Sequence, residues 1–194
     1  MKIRCDCGRF EAELRGFPRN SPGRLVCYCD DCQAFARAIG RDDVLDPYGG
    51  TEVVPVYPRE TFFLKGRELL RCNRLTPRGL FRWTTTCCNT PIANTRPGLT
   101  WVGVFHNTYT VEDPNYLERL GPVRSRIMGR HAKGNPPFAV DDGIGVRGVL
   151  AVLPFMAKGM LLRMARPSPF FEADGVTPIS PPVVLGVKEK EDAT

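Results

Sequence analysis

Short apolar runs separated by glycine, proline and charged residues dominate the chain as far as residue 112. The runs are rich in Val, Phe, Thr and Trp, which favour strands, and turn residues follow most of them. They read RLVCYC, TEVVPVY, TFFLKG, ELLRCNR, GLFRWTTT and TWVGVFH. The pattern predicts a mainly β domain of short antiparallel strands over residues 1–112.

One segment inside this region has a different period. The stretch DDCQAFARAIGR carries apolar residues at near-helical spacing and stops at Gly40. It therefore predicts a short helix with Asp30 or Asp31 as its N-cap. Cys32 would lie at the N-terminus of that helix.

The pattern changes again after residue 112. Residues 113–133 predict two short helices, separated at Gly121 and Pro122, with the second beginning at Val123. Residues 143–165 are strongly apolar and contain a central proline, which predicts one kinked helix or a kinked helical hairpin.

The predicted division has three parts. A helical extension over 113–166 packs on the β domain, and residues 167–194, with five prolines and a charged end, form an extended arm and a flexible tail. Residues 146–165 carry too many apolar side chains for a solvated helix. We therefore expect the β domain or a second copy of the chain to cover them, which makes a homodimer one expectation.

Composition narrows the cellular setting. The chain has 194 residues, 42% of them hydrophobic, which is enough for a real core. No signal peptide and no membrane-spanning run stands out, so we expect a cytoplasmic protein without a transmembrane segment. In a reducing cytosol the eight cysteines do not form a disulfide framework, and clustered cysteines indicate metal binding or catalysis.

The formal net charge is +6. The positive charge is concentrated in two basic zones, residues 59–82 and 113–166. Arginine-rich solvated faces are common, and these zones lack the interleaved aromatic residues that favour single-stranded nucleic acid. We therefore predict no nucleic-acid partner.

The spacing of seven cysteines predicts two metal sites. Cys5 and Cys7 precede Gly8, which suits a tight turn. Later in the chain come a C-x-C-x-x-C motif at residues 27–32 and an adjacent cysteine pair at residues 87 and 88. Sulfur ligands from separate short elements satisfy tetrahedral zinc without strain. One partition puts four cysteines in a closed structural site and three in a site with an open, reactive position. The closed site takes Cys5, Cys7, Cys87 and Cys88, and the open site takes Cys27, Cys29 and Cys32.

Other interpretations of these residues remain open. The three-cysteine cluster can be purely structural, with a fourth ligand not yet identified. A redox C-x-x-C is disfavoured because no thioredoxin-like βαβ pattern surrounds it. Cys72 is predicted to be a buried apolar thiol. His106 and His131 show no ligand spacing.

Four motifs resemble one known family. They are CDCG at 5–8, CYCDDC at 27–32, TFFLKG at 61–66 and CCNTPIA at 87–93. In this order and spacing they resemble the glutathione-dependent formaldehyde-activating enzyme and centromere protein V family, zinc proteins with a β-tent fold. The chain looks like a divergent member with a C-terminal helical extension.

The resemblance implies a function. It implies a zinc-dependent carbon–sulfur lyase that acts on adducts of glutathione, or a similar small thiol, with an electrophile such as formaldehyde. It implies two Zn²⁺ ions per chain, with Cys27, Cys29 and Cys32 as the catalytic ligands and the other four cysteines as structural ligands. The alternative is a non-catalytic, zinc-stabilised interaction module.

The late cysteine pair departs from the family pattern. Thr85 stands where the family has its first late cysteine, so Cys87 must substitute for it from the position beside Cys88. Adjacent residues on a strand point to opposite faces, so both can reach one metal only if the backbone turns there. Asn89 replaces the usual glycine and is the residue type best able to adopt the left-handed conformation in its place.

Overall fold

The computed structural model describes residues 1–110 and 115–186 of the chain. Within them are eleven strands and four α-helices. The strands are β1 Lys2–Arg4, β2 Glu11–Leu14, β3 Arg24–Cys27, β4 Thr51–Val56, β5 Thr61–Lys65, β6 Leu70–Arg74, β7 Phe81–Thr85, β8 Pro91–Thr95, β9 Val102–Phe105, β10 Val123–Ile127 and β11 Val183–Val184. The helices are α1 Asp30–Ala38, α2 Asn107–Thr110, α3 Tyr116–Leu120 and α4 Val146–Leu161. The prediction of a mainly β fold with a C-terminal helix is confirmed.

The strands form two sheets. The smaller is antiparallel in the order β1-β2-β5, and the larger has the order β10-β3-β4-β9-β8-β7-β6-β11. The central strands of the larger sheet pair antiparallel, but β10 joins β3 and β11 joins β6 in parallel. Both parallel strands come from residues beyond 114, so the C-terminal part of the chain completes both edges of the sheet.

The main core lies between these sheets. Ile3, Ala12 and Leu14 of the smaller sheet pack in one cluster with Trp83 and Val104 of the larger one, all at most 1% exposed. The indole N–H of Trp83 donates a 2.8 Å hydrogen bond to Thr95, which satisfies its only buried donor. Alternate residues of β7 point away from this core, towards helix α1.

Helix α1 forms a second, smaller core on the larger sheet. Its residues Phe35 and Ile39 are buried against Phe105 of β9. The predicted helix is present, but the predicted aspartate cap is wrong. Cys29 is the N-cap, with extended backbone, and both aspartates lie in the first helical turn, where a negative charge suits the helix dipole.

The second helix predicted in residues 113–133 is replaced by strand β10. The sequence VRSRI has a period of two, with Arg124 exposed and Ser125 buried, and its backbone pairs with β3. A segment this short is compatible with both the helical and the strand period. Its pairing with β3, which is distant in sequence, makes it a strand. The first of the two predicted helices is present as α3.

Helix α4 is one continuous helix that contains Pro154. Phe155 faces inwards and stacks on Tyr57 with ring centroids 4.2 Å apart. Gly159 lies so close to Tyr57 and Thr100 that a Cβ would come within 2.8 Å of the Tyr57 ring. These contacts cover one face of the helix. The opposite face exposes a stripe of large apolar side chains, namely Val146, Val149, Leu150, Leu153, Met160 and Leu161.

The division at residues 112 and 113 lies within 111–114, outside the described residues, and most of the predicted tail, 187–194, also lies outside them. The three-part division therefore stays a prediction. None of the helices within 1–110 and 115–186 is long and apolar enough to cross a membrane.

Candidate functional site

Four cysteines from two turns meet at one end of the main core. Cys5 and Cys7 lie in the turn between β1 and β2, and Cys87 and Cys88 lie in the turn between β7 and β8. Their sulfur atoms all lie within 4.8 Å of one another. We call them the four-cysteine group, and they join elements about 80 residues apart in sequence.

The sulfur spacing in this group suits a tetrahedral metal ion. The Sγ–Sγ distances are 3.6 Å for Cys5–Cys7, 3.8 Å for Cys5–Cys87, 3.3 Å for Cys7–Cys87 and 3.7 Å for Cys87–Cys88. A metal–sulfur bond of about 2.3 Å in a tetrahedron separates the sulfurs by about 3.8 Å, whereas a disulfide holds them about 2.05 Å apart. All four thiols are free. The four-cysteine group can therefore hold a metal ion.

The adjacent pair reaches the group because the chain turns there, as the sequence required. The Asn89 backbone is left-handed, with φ 57°. The Thr85 amide donates to the Thr90 carbonyl at 3.1 Å, and the Asn89 amide donates to the Thr85 carbonyl at 3.0 Å. These bonds close the turn, so Cys87 and Cys88 no longer alternate across a strand.

The four thiols have different environments. Burial raises the pKa of Cys5 to about 12. Burial opposes ionisation of Cys88 too, but hydrogen bonds that the hydroxyls of Thr85 and Thr90 donate to its sulfur outweigh burial and lower the pKa of Cys88 to about 5. A backbone N–H lowers the pKa of Cys7. A central cation would supply the positive charge that this mixed set needs to ionise fully.

The second group joins β3 to helix α1. Cys27 ends β3, Cys29 is the N-cap of α1 and Cys32 lies in its first turn, with their sulfur atoms within 4.8 Å of one another. The Cys32 amide donates to the Cys29 carbonyl at 3.0 Å, which winds the two residues into one turn. No further Cys, His, Asp or Glu of the described residues completes this three-cysteine group. It can hold a metal ion and leave one position open.

The three thiols of this group have different environments. Hydrogen bonds from Cys27 and Cys29, together with the charge of Arg82, lower the pKa of Cys32 well below its ordinary value. Nη1 of Arg82 lies 3.9 Å from its sulfur. Hydrogen bonds with the other two cysteines, which favour the neutral thiol, raise the pKa of Cys27.

Sequence reasoning missed two neighbours of this group. Arg82 lies in strand β7, and the sequence of this strand does not indicate that the arginine is buried beside a thiol. His131 seemed to be alone, yet its Nδ1 lies 2.8 Å from a carboxylate oxygen of Asp30, the residue after Cys29. No sequence spacing signals either contact, because the partners are 50 and 101 residues apart.

A polar network holds the residues after β10 against helix α1. The side-chain amide of Gln33 donates to the carbonyls of Tyr28 and His131, at 2.8 Å each. Beside it lies an open groove of about 380 Å³. Its lining combines cationic and acidic residues, namely Arg37, Asp42, Leu45, Asp46, Pro47, Gly49 and Lys133.

The two cysteine groups are also connected to each other. Arg41, just after α1, pairs with Asp6 of the C-x-C turn at 2.9 Å. The Asn89 side chain donates to the Ile39 carbonyl at 2.6 Å. The residues that follow α1 are therefore bonded to both turns of the four-cysteine group.

The structure brings together all seven predicted site cysteines in the predicted partition. Their roles as ligands and catalysts stay predictions. Cys72 is 0% exposed in the main core, as predicted, and burial raises its pKa to about 12. Nδ1 of His106 lies 3.3 Å from the Glu52 carbonyl oxygen.

The chain belongs to a family described as a family of unknown function (DUF6151), whose model matches residues 1–180. No match was found among curated proteins. A crystal structure of a Rhodobacter sphaeroides protein is similar to it, with 22% sequence identity over 63% of this chain and 97% of that chain and a TM-score of 0.41.

Proposed function

We propose that the protein is a zinc-dependent, carbon–sulfur lyase-like enzyme that acts on adducts of a thiol with a small electrophile. The thiol is glutathione or a similar molecule, formaldehyde is the first electrophile to test, and the cytoplasm is the setting that free clustered cysteines suit. The resemblance to the formaldehyde-activating enzyme and centromere protein V family supports this proposal. One observation carries it: the three-cysteine group offers one sulfur fewer than the four-cysteine group.

We propose zinc as the ion of both groups. Thiolate sulfur is a preferred zinc ligand, structural zinc sites have four protein ligands, and catalytic sites keep a position for water or substrate. The four-cysteine group would hold a structural ion. The three-cysteine group would hold an ion with a fourth position accessible to a substrate.

Bound zinc would supply a Lewis-acidic position at which a substrate thiol is present as its thiolate. In the addition direction, the substrate sulfur attacks the aldehyde carbon, a carbon–sulfur bond forms, and the carbonyl oxygen takes up the proton that the thiol released. The reverse direction breaks that bond and regenerates the thiol. The candidate to hold this proton is the carboxylate of Asp30. Asp30 follows Cys29 in sequence and pairs with His131 at 2.8 Å.

The open groove offers charges that suit glutathione. Arg37 and Lys133 line it, and glutathione carries two carboxylates that a guanidinium or an ammonium group can bind. Asp46, on the same groove, accepts a 2.9 Å hydrogen bond from Tyr28, which lies between two cysteines of the three-cysteine group. Tyr28 therefore connects the groove to the backbone of the segment that carries Cys27 and Cys29.

The test is thiol-dependent turnover in the zinc-replete protein. Exchange between glutathione, formaldehyde and their adduct is measured by NMR, with zinc per chain measured on the same samples. We expect the wild type to accelerate exchange and Cys29→Ala to abolish the acceleration while its circular dichroism spectrum stays unchanged. Cys72→Ala is the matched control, because Cys72 lies in neither cysteine group. A wild type with two zinc ions and no acceleration over a panel of thiols and aldehydes would overturn the proposal.

A second candidate is a non-catalytic, zinc-stabilised module that associates with a second copy of itself. The exposed apolar stripe on α4 favours it, because monomeric proteins seldom leave such a contiguous surface uncovered. Leu153 is 58% exposed within this stripe. Sedimentation velocity of the wild type and Leu153→Lys would reveal a dimer that this change dissociates.

A further inference from the structure

Arg82 is a buried cation beneath helix α1. It lies on β7 and is 3% exposed, while its strand neighbours Phe81 and Trp83 belong to the main core on the opposite face. Its guanidinium carbon lies 5.1 Å from the ring centroid of Phe35, a residue of α1. The arginine is therefore enclosed between the larger sheet and the helix that carries Cys32.

The contacts of Arg82 leave its charge without a carboxylate. Nη1 donates to Oδ1 of Asn94 at 3.4 Å and to Sγ of Cys32 at 3.9 Å. No salt bridge within residues 1–110 and 115–186 includes Arg82. A guanidinium stays charged in proteins, and burying a charge without an opposite partner is strongly unfavourable. Among the described residues that Arg82 contacts, Cys32 is the one that can carry a negative charge.

The charge of a loaded three-cysteine group matches this requirement. A thiolate at Cys32 alone, or a divalent ion held by all three thiolates, would each supply Arg82 with one negative charge. Three thiolates around a divalent ion carry one net negative charge, which the single positive charge of Arg82 balances. The N-terminus of α1, where Cys32 lies, favours negative charge at the same place.

We propose that Arg82 is the internal counter-charge of the three-cysteine site and holds Cys32 in position as a metal ligand. This inference rests on the proposed function, because it requires a metal ion at that site. Arg82 acts through Cys32 and, at 3% exposure, does not bind substrate itself. It is therefore a positioning residue.

The experiment measures zinc affinity in the full-length protein by competition with a fluorescent chelator under reducing conditions. Arg82→Gln removes the charge, and Arg82→Lys keeps it. Arg74→Gln is the matched control, because Arg74 lies on the neighbouring strand β6 with its guanidinium 3.9 Å above the Phe81 ring. We expect Arg82→Gln to weaken one of two zinc sites by about 10–100-fold, the usual effect of a residue that supports a metal ligand. Arg82→Lys should lose less, and Arg74→Gln should match the wild type.

A double-mutant cycle identifies the affected site. In a Cys27→Ala background, which lacks the second zinc ion, Arg82→Gln should cause no further loss of affinity. A merely structural arginine would instead lower the affinity of the four-cysteine group as well. Loss of zinc from that group on Arg82→Gln would therefore overturn the inference.

Two further outcomes separate this inference from the proposed function. A wild type that binds only one zinc ion would overturn both. A wild type with two ions, and Arg82→Gln with unchanged affinities, would overturn the role of Arg82 alone. If Arg82→Gln does not fold, Arg82→Lys decides: a folded lysine variant that retains the second ion supports the counter-charge, and one that has lost it overturns the counter-charge.

Discussion

Cys5 and Cys72 allow the contribution of a metal ion to be separated from that of packing. Both are 0% exposed and belong to the same core cluster. They differ in their neighbours: the sulfur of Cys5 lies within 4.8 Å of three other sulfurs, whereas Cys72 belongs to no such group. Cys5→Ala and Cys72→Ala therefore remove the same atom from similarly buried positions. Any difference in stability reports the four-cysteine group.

The packing contribution is small. Removing one buried atom of this size costs about 1–2 kcal/mol, from about 0.8 kcal/mol per buried methylene plus a residual cavity. For a domain of this size, 1 kcal/mol lowers Tm by about 2–4 °C. Cys72→Ala should therefore lower Tm by about 2–8 °C and keep its metal content.

The metal contribution is larger. Structural zinc binding is worth about 10–16 kcal/mol in zinc-finger peptides, and this free energy is folding free energy. Loss of even a quarter of it, about 3–4 kcal/mol, is a large share of a typical stability of about 5–15 kcal/mol. Cys5→Ala should therefore lower Tm by about 6–16 °C more than Cys72→Ala does.

Differential scanning calorimetry and zinc per chain, measured with and without a chelator, test this difference. We expect Cys5→Ala to have lost one zinc equivalent and to respond less than the wild type to the chelator. Equal Tm values and equal zinc content in the two variants would show that the four-cysteine group holds no ion that contributes to folding.

Three further predictions follow from local contacts. Phe155→Ala should cost about 3–5 kcal/mol in urea unfolding, whereas Leu153→Ala, at a position 58% exposed, should change stability by less than about 0.5 kcal/mol; equal costs would contradict the described orientation of α4. Gly66→Ala should destabilise more than Gly98→Ala in thermal melts, because both glycines have φ near 75–77° but only at Gly66 would a Cβ collide with backbone. A hydrogen bond from the neighbouring guanidinium of Arg41 lowers the pKa of Asp43 in the folded protein. The ionised carboxylate therefore stabilises the fold above the unfolded-state pKa of about 3.9, and this stabilisation is lost as the pH falls below it. Between about pH 5 and pH 3, Asp43→Asn should therefore lose less stability than the wild type, by at most about 1 kcal/mol. The same acid dependence in both proteins would refute this.

The elements with strong local signals were predictable. Helix α1 has a clear period and ends at Ala38, just before Gly40, and the β-rich runs before residue 112 correspond to strands. The partition of the cysteines into two groups was predictable from the C-x-C and C-x-C-x-x-C spacings, but the inclusion of Cys87 required a turn that the sequence only suggested. The left-handed Asn89 followed from the need for a turn between β7 and β8.

What the sequence did not reveal depends on contacts between distant residues. Strand β10 carries too few residues to distinguish a period of two from a helical one, and its pairing with β3 spans about 100 residues. Arg82 alternates with buried residues on β7, so period alone places it on a solvent-facing side. It is buried because α1 covers that face, and no local pattern predicts which face of a strand a helix covers.

The connection between the two cysteine groups explains how a structural ion can matter for a reactive one. Asp6 and Asn89, next to ligands of the four-cysteine group, fasten Arg41 and Ile39 at the end of α1. The other end of the same helix carries Cys32, and a helix of nine residues is short enough to move as one body. We therefore expect that an ion bound to the four-cysteine group would also restrain the orientation of α1, and with it the distance from Cys32 to Cys27 on β3. If both groups hold ions as proposed, these contacts would make the geometry of the three-cysteine group depend on the order of the four-cysteine group.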